Sequence, residues 1–112
     1  MAEAKFITAP RRPVFNPAAH HSDAGPLTSA QVEALDNALS LIRAEVIRAA
    51  RKHGPRPFAS PHEGYGILLE ELDELWDEIK ANNPSAAIGE VTQVGAMAAY
   101  YVMSFATEAV NG

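Results

Sequence analysis

Between Leu68 and Ile79, apolar residues return every three or four positions, at Leu68, Leu72, Leu75, Trp76 and Ile79. That interval fits one face of an α-helix and does not fit a strand, whose side chains alternate between two faces. The same stretch is acidic. In Glu70-Glu71-Leu72-Asp73-Glu74-Leu75-Trp76-Asp77-Glu78, six of nine residues are carboxylates. On a helix, Glu71, Glu74 and Glu78 gather along the edge of the apolar arc, whereas Glu70, Asp73 and Asp77 turn toward solvent. Like charges at i, i+3 and i+7 along a low-dielectric boundary repel one another, so the pattern makes sense with a cation between them.

Two further helices flank this one. Thr28-Ser29-Ala30-Gln31 reads as a capping box opening a helix that runs to about Lys52 or His53. Val32, Leu35, Leu39, Ile42 and Val46 line one of its faces, with Ala38 and Ala49 beside them. Arg43, Arg48, Arg51 and Lys52 make its C-terminal half basic, which suits the negative end of the helix dipole. Gly54-Pro55 stops it, and the loop to Pro61 leads into the acidic helix, with Ser60 as cap, Pro61 in the first turn and Glu63 at the third position. That helix runs to about Ala81. Asn82-Asn83-Pro84-Ser85 is a short connection, with Ser85 placed to cap a third, alanine-rich helix over about residues 86–110.

Residues 1–26 read as a flexible Pro-rich tail with Pro10, Pro13, Pro17 and Pro26. Phe6, Ile7, Val14 and Phe15 are its only large apolar residues, suited to a strap across a neighbouring surface. His20 and His21 are adjacent, so their rings point apart and make a poor metal pair. Residues 27–112 form one all-α domain.

The 112-residue chain has no cysteine, which excludes disulfides and thiolate metal sites. No run approaches the roughly 20 apolar residues of a membrane span, and the N-terminus lacks the apolar segment of a secretory signal. A cytoplasmic protein away from the membrane is expected. The net charge of −5 argues against a nucleic-acid backbone as partner.

On the third helix, Val94, Met97, Ala98, Tyr101 and Phe105 share an apolar face, and Glu90 lies on that face with Gln93 at its margin. A carboxylate on a core-facing stripe calls for a partner, because burying it alone costs several kcal/mol. The short connection predicts an antiparallel hairpin in which Glu74 and Glu90 lie equally far from the turn and Glu71 is level with Gln93. Glu71, Glu74 and Glu90 then converge, with Gln93 beside them, as an all-oxygen site for a hard divalent cation such as Mg2+.

Glu71-x-x-Glu74 on one helix and Glu90-x-x-Gln93 on the next resemble the ExxE…ExxD signature of the all-α nucleoside triphosphate pyrophosphohydrolases, the MazG-like superfamily. The resemblance spans about residues 28–110. It is densest over His62–Trp76 and Glu90–Val94, where it looks most like the small MazG-like proteins of phages and their hosts. It implies Mg2+-dependent hydrolysis of an NTP or dNTP between the α and β phosphates, with Mn2+ as the alternative ion. Glu71, Glu74 and Glu90 take the family's metal-ligand positions, and Glu78 extends the stripe as a further ligand or general base. Gln93 departs from the pattern, since the family has Asp there; it offers a neutral carbonyl oxygen and leaves the site one charge short. A catalytically weak or inactive module that binds nucleotide or a protein partner is therefore the alternative. Lys52, Arg56 and Lys80 are candidates for phosphate contacts. Trp76 is a candidate for stacking on the base, with Tyr65, Tyr100 and Tyr101 also in reach, and His62 is a polar cap. About 85 helical residues make a thin core, so a four-helix-bundle-like homodimer or homotetramer is expected.

Overall fold

The computed structural model describes residues 25–111. The tail anchors at Phe6, Ile7, Val14 and Phe15 and the His20–His21 pair lie outside the described residues. Among the described residues every regular element is helical: α1 is Ser29–His53, α2 is Pro61–Lys80 and α3 is Pro84–Asn111.

Local chemistry sets the helix ends. At the start of α1 the Thr28 hydroxyl accepts from the Gln31 N–H at 3.1 Å, and the Gln31 side chain accepts from the Thr28 N–H at 2.8 Å. Gly54 closes the helix at φ +92°, a conformation that glycine adopts without the Cβ clash of other residues. In α2 the Ser60 hydroxyl caps Glu63, and the Glu63 carboxylate turns back to accept from the Ala59 N–H at 2.6 Å. The α2–α3 turn passes through Asn82 at φ +56°. Asn83, rather than Ser85, caps α3: its side-chain oxygen accepts from the Ala86 N–H at 3.3 Å, and Pro84 occupies the first helical position. Proline has no N–H to leave unsatisfied there, so the Asn-Pro pair starts the helix two residues before the predicted position.

α3 is the central helix. It packs against both α1 and α2, which do not pack on each other. α2 and α3 form the expected antiparallel hairpin. α1 runs alongside α3 in the same direction, for Ile42 lies over Gly95 and the Val46–Arg51 turn faces Tyr100 and Met103. The loop between α1 and α2 is tied down by Phe58. Its ring is buried edge-on against Tyr100, with centroids 5.1 Å apart, and its N–H donates to the Ser104 hydroxyl at 3.1 Å. The Tyr100 hydroxyl donates to the Arg56 carbonyl.

The core is thinner than the helical patterns predict. Phe58 and Ala96 are the buried apolar residues among those described. Ile42 and Val46 are half-buried against α3, but Val32, Leu35 and Leu39 of the same stripe are exposed, as are Ile79 on α2 and Ala98 on α3. α1 meets α3 closely where Ile42 lies over Gly95, and among the described residues the stretch of α1 from Ser29 to Leu41 is exposed. Periodicity marks a face that needs cover without saying which chain supplies it.

Candidate functional site

The hairpin register brings three carboxylates together. Glu71 and Glu74 are one helical turn apart on α2, and Glu90 faces them from α3. Each offers an oxygen, and these oxygens all lie within 4.8 Å of one another. That spacing brings like charges close, and among the described residues no Lys or Arg forms an ion pair with them. Partial burial pushes the Glu71 carboxyl above the ordinary carboxylate range, and the charges of Glu74, Glu90, Glu70 and Glu45 push it further. Glu90 is raised by burial first, then by the nearby carboxylates of Glu74 and Glu78. Glu78 thus sits at the margin of the cluster, half-buried. Three hard oxygen donors of like charge at this spacing form a set that a divalent cation relieves, and the donor chemistry fits Mg2+ or Mn2+.

Gln93 lines the cleft together with Glu71 and also lies near Glu45 on α1. The Glu45 carboxylate is held below the usual range mainly by Arg48, with partial burial opposing and Gln93 adding a smaller pull. Arg48 donates to both oxygens of Glu45 through Nε, at 3.0 and 3.1 Å. Sequence reasoning passed over Glu45, although the signal that exposed Glu90 was present: Glu45 stands between Ile42 and Ala49 at i+3 and i+7 on the packed side of its helix. It is another half-buried carboxylate, close enough for its charge to act on Glu71 across the bundle.

A cleft of about 400 Å³ opens beside the cluster, between α1 and α2 with α3 as its floor. Arg48, His53 and Arg56 line one side, Glu70 and Glu71 the other, and Tyr100 lies in the floor. Arg48 and Arg56 therefore face Glu70 and Glu71 across a space of small-ligand size. Of the sequence candidates for substrate contact, Arg56 reaches this cleft, where it also meets Glu63 at 3.4 Å. Lys52 is exposed outside the lining. Lys80 pairs with Asp77 at 3.6 Å and lies 5.7 Å from the Trp76 ring centre, so both Lys80 and Trp76 belong to the far end of α2. His62 and Tyr65 are exposed, and Tyr101 packs beneath Gly64. Arg48, His53 and Tyr100 are the side chains that the fold brings to the cleft in place of Lys52, Lys80 and Trp76.

No protein-family model matches the chain, and neither a curated protein nor a solved structure matches it. Among the described residues, no helix is long and apolar enough to cross a membrane.

Proposed function

We propose that this chain is a Mg2+-dependent nucleoside triphosphate pyrophosphohydrolase, which cleaves an NTP or dNTP between the α and β phosphates to release a nucleoside monophosphate and pyrophosphate. The observation that carries the reading is the convergence of Glu71, Glu74 and Glu90 beside a cleft edged by Arg48, His53 and Arg56. Glu71, Glu74 and Glu90 would hold Mg2+ or Mn2+, an ion that screens the phosphates and lowers the pKa of water. Arg48 and Arg56 offer planar guanidinium forks to phosphate oxygens. Glu78 stands at the edge of the cluster to take the proton from the attacking water as the phosphoanhydride P–O bond breaks. Within this reading the protein is cytoplasmic, acts on a small molecule rather than a nucleic acid, and works as a bundle of two or four copies.

A second reading rests on Gln93. Its neutral amide, close to Glu45, adds no fourth charge to the cluster, which suits a module that binds nucleotide or a protein partner with weak or no turnover. One experiment separates the two: chromatography of the products from a panel of NTPs and dNTPs with Mg2+, with Glu74→Ala and Gln93→Asp alongside. The enzyme yields monophosphate and pyrophosphate only with metal and intact Glu74. A binding module yields neither, but is stabilised by nucleotide together with Mg2+, and Gln93→Asp then raises turnover from background. Neither product nor metal-dependent stabilisation in any of the three proteins defeats the site.

A further inference from the structure

The two arginines of the cleft are held in different ways. Arg56 turns its terminal nitrogens to its own surroundings: Nη1 donates to the Pro57 carbonyl at 3.0 Å and Nη2 to Glu63 at 3.4 Å. Arg48 is gripped from the side. Its Nε lies 3.0 and 3.1 Å from the two oxygens of Glu45, and its Nη2 donates to Glu45 as well. Among the described residues, Nη1 of Arg48 has no hydrogen-bond partner. A guanidinium carries all its N–H donors in one plane. Pairing through Nε and the near N–H of Nη2 uses one edge and leaves the end edge, formed by Nη1 and the outer N–H of Nη2, for a second anion. Arg48 lines the cleft opposite Glu70 and Glu71.

Stability alone is a poor reason for an acid at position 45. The Glu45 side chain is 14% exposed, against 54% for Arg48. Partial burial opposes its charge, and that charge acts unfavourably on Glu71. An ion pair one helical turn apart adds little in return. What the pair supplies is order. A long arginine side chain loses rotamer freedom when it meets a ligand, and one already fixed in place loses less.

We infer that Glu45 is a positioning residue of the proposed site: by holding Arg48 through Nε and Nη2, it presents the open end edge of the guanidinium to a phosphate group in the cleft. The inference rests on the functional reading for a ligand that carries phosphates, and not for its hydrolysis.

Inorganic triphosphate with Mg2+ is the probe, titrated by calorimetry into the full chain, Glu45→Gln, Arg48→Ala and the double variant. Glu45→Gln should weaken binding about ten-fold when Arg48 is present. In the Arg48→Ala background it should change nothing, because the clamp then has nothing to hold. Damage to the fold, or loss of the Glu45 charge beside the metal, would act alike in both backgrounds. Arg48→Lys keeps the charge without the planar fork and should bind as poorly as Arg48→Ala. Where Glu45→Gln fails to fold, Glu45→Asp takes its place, since its carboxylate sits one methylene short of Arg48. Equal weakening by Glu45→Gln in both backgrounds overturns the inference. So does no weakening, full binding by Arg48→Lys, or an unsubstituted chain that binds no triphosphate. Product chromatography keeps the two readings apart: triphosphate binding with the expected cycle but no nucleotide turnover defeats hydrolysis and leaves the clamp, and turnover with a KM that Glu45→Gln leaves unchanged does the reverse.

Discussion

Glu45 and Glu90 are both half-buried carboxylates, and their neighbours push them in opposite directions. Arg48 and Gln93 hold Glu45 in its charged form, whereas burial, Glu74 and Glu78 favour the neutral form of Glu90. The consequence for stability follows by linkage. Without metal, Glu71 and Glu90 take up protons more readily in the folded chain than in the unfolded one. Their contribution is complete below the unfolded carboxylate value and is lost as pH rises through their raised folded values. Glu45 and Glu63, both lowered, act in the reverse sense, and their contribution is lost only as pH falls through the depressed values. Urea midpoints in chelator should therefore decline from about pH 4.5 toward neutrality as Glu71 and Glu90 ionise. Mg2+ at neutral pH should restore the midpoint, and Glu90→Gln should flatten both the decline and the metal response. A wild-type profile that does not fall over this interval would show that the three carboxylates do not feel one another.

α2 owes its close approach to α3 to Gly64, while Gly66 on the same helix makes no such contact. A Cβ on Gly64 would lie 2.6 Å from the Tyr101 ring and 2.9 Å from Phe58, and the Tyr101 ring is itself held edge-on by Phe105. Gly66, one turn-half further along α2, has nothing within 4 Å of its Cβ position. Gly64→Ala should destabilise the protein by about 1–3 kcal/mol through overpacking, whereas Gly66→Ala should stabilise it by up to about 1 kcal/mol through helix propensity. Denaturant titration of both variants checks the contrast; equal effects would mean that α2 does not approach α3 at Gly64. The ends of α1 and the start of α2 were legible in the sequence because Thr28, Gln31, Gly54, Ser60 and Pro61 act on backbone groups within four residues, whereas the start of α3 was not, because Asn83 caps it in place of Ser85. The hairpin register was legible too, since a short turn leaves Glu74 and Glu90 little freedom to miss each other. What Gln93 would touch was not legible, because Glu45 reaches it from α1, whose angle to the hairpin no local signal fixes. For the same reason Arg48 and His53 line the cleft and Lys52 does not.

At the scale of the whole molecule, the two walls of the cleft are joined through α3 and the Phe58 loop. α1 brings Arg48 and His53, α2 brings Glu70 and Glu71, and the two helices do not pack on each other. Among the described residues the charge of Glu45 near Glu71 is a direct link between the walls, and each wall otherwise meets the other through its packing on α3. A ligand whose phosphates meet Arg48 or Arg56 while its metal rests on Glu71, Glu74 and Glu90 would bridge the two and order both. Hydrogen exchange should register this as slowed amides in two separate stretches, the α1 turn at Arg48–His53 and the α2 turn at Glu70–Glu74, when a non-hydrolysable nucleotide and Mg2+ are added together. Mg2+ alone should slow exchange at the hairpin and leave α1 unchanged, because the three carboxylates all lie on α2 and α3. At a hundred times its dissociation constant the ligand adds about 2.7 kcal/mol of stability, enough to raise the unfolding temperature by several degrees. Protection confined to the hairpin in the presence of nucleotide would mean that the cations of α1 take no part in holding the phosphates, and the cleft would then be a feature of packing instead of a binding site.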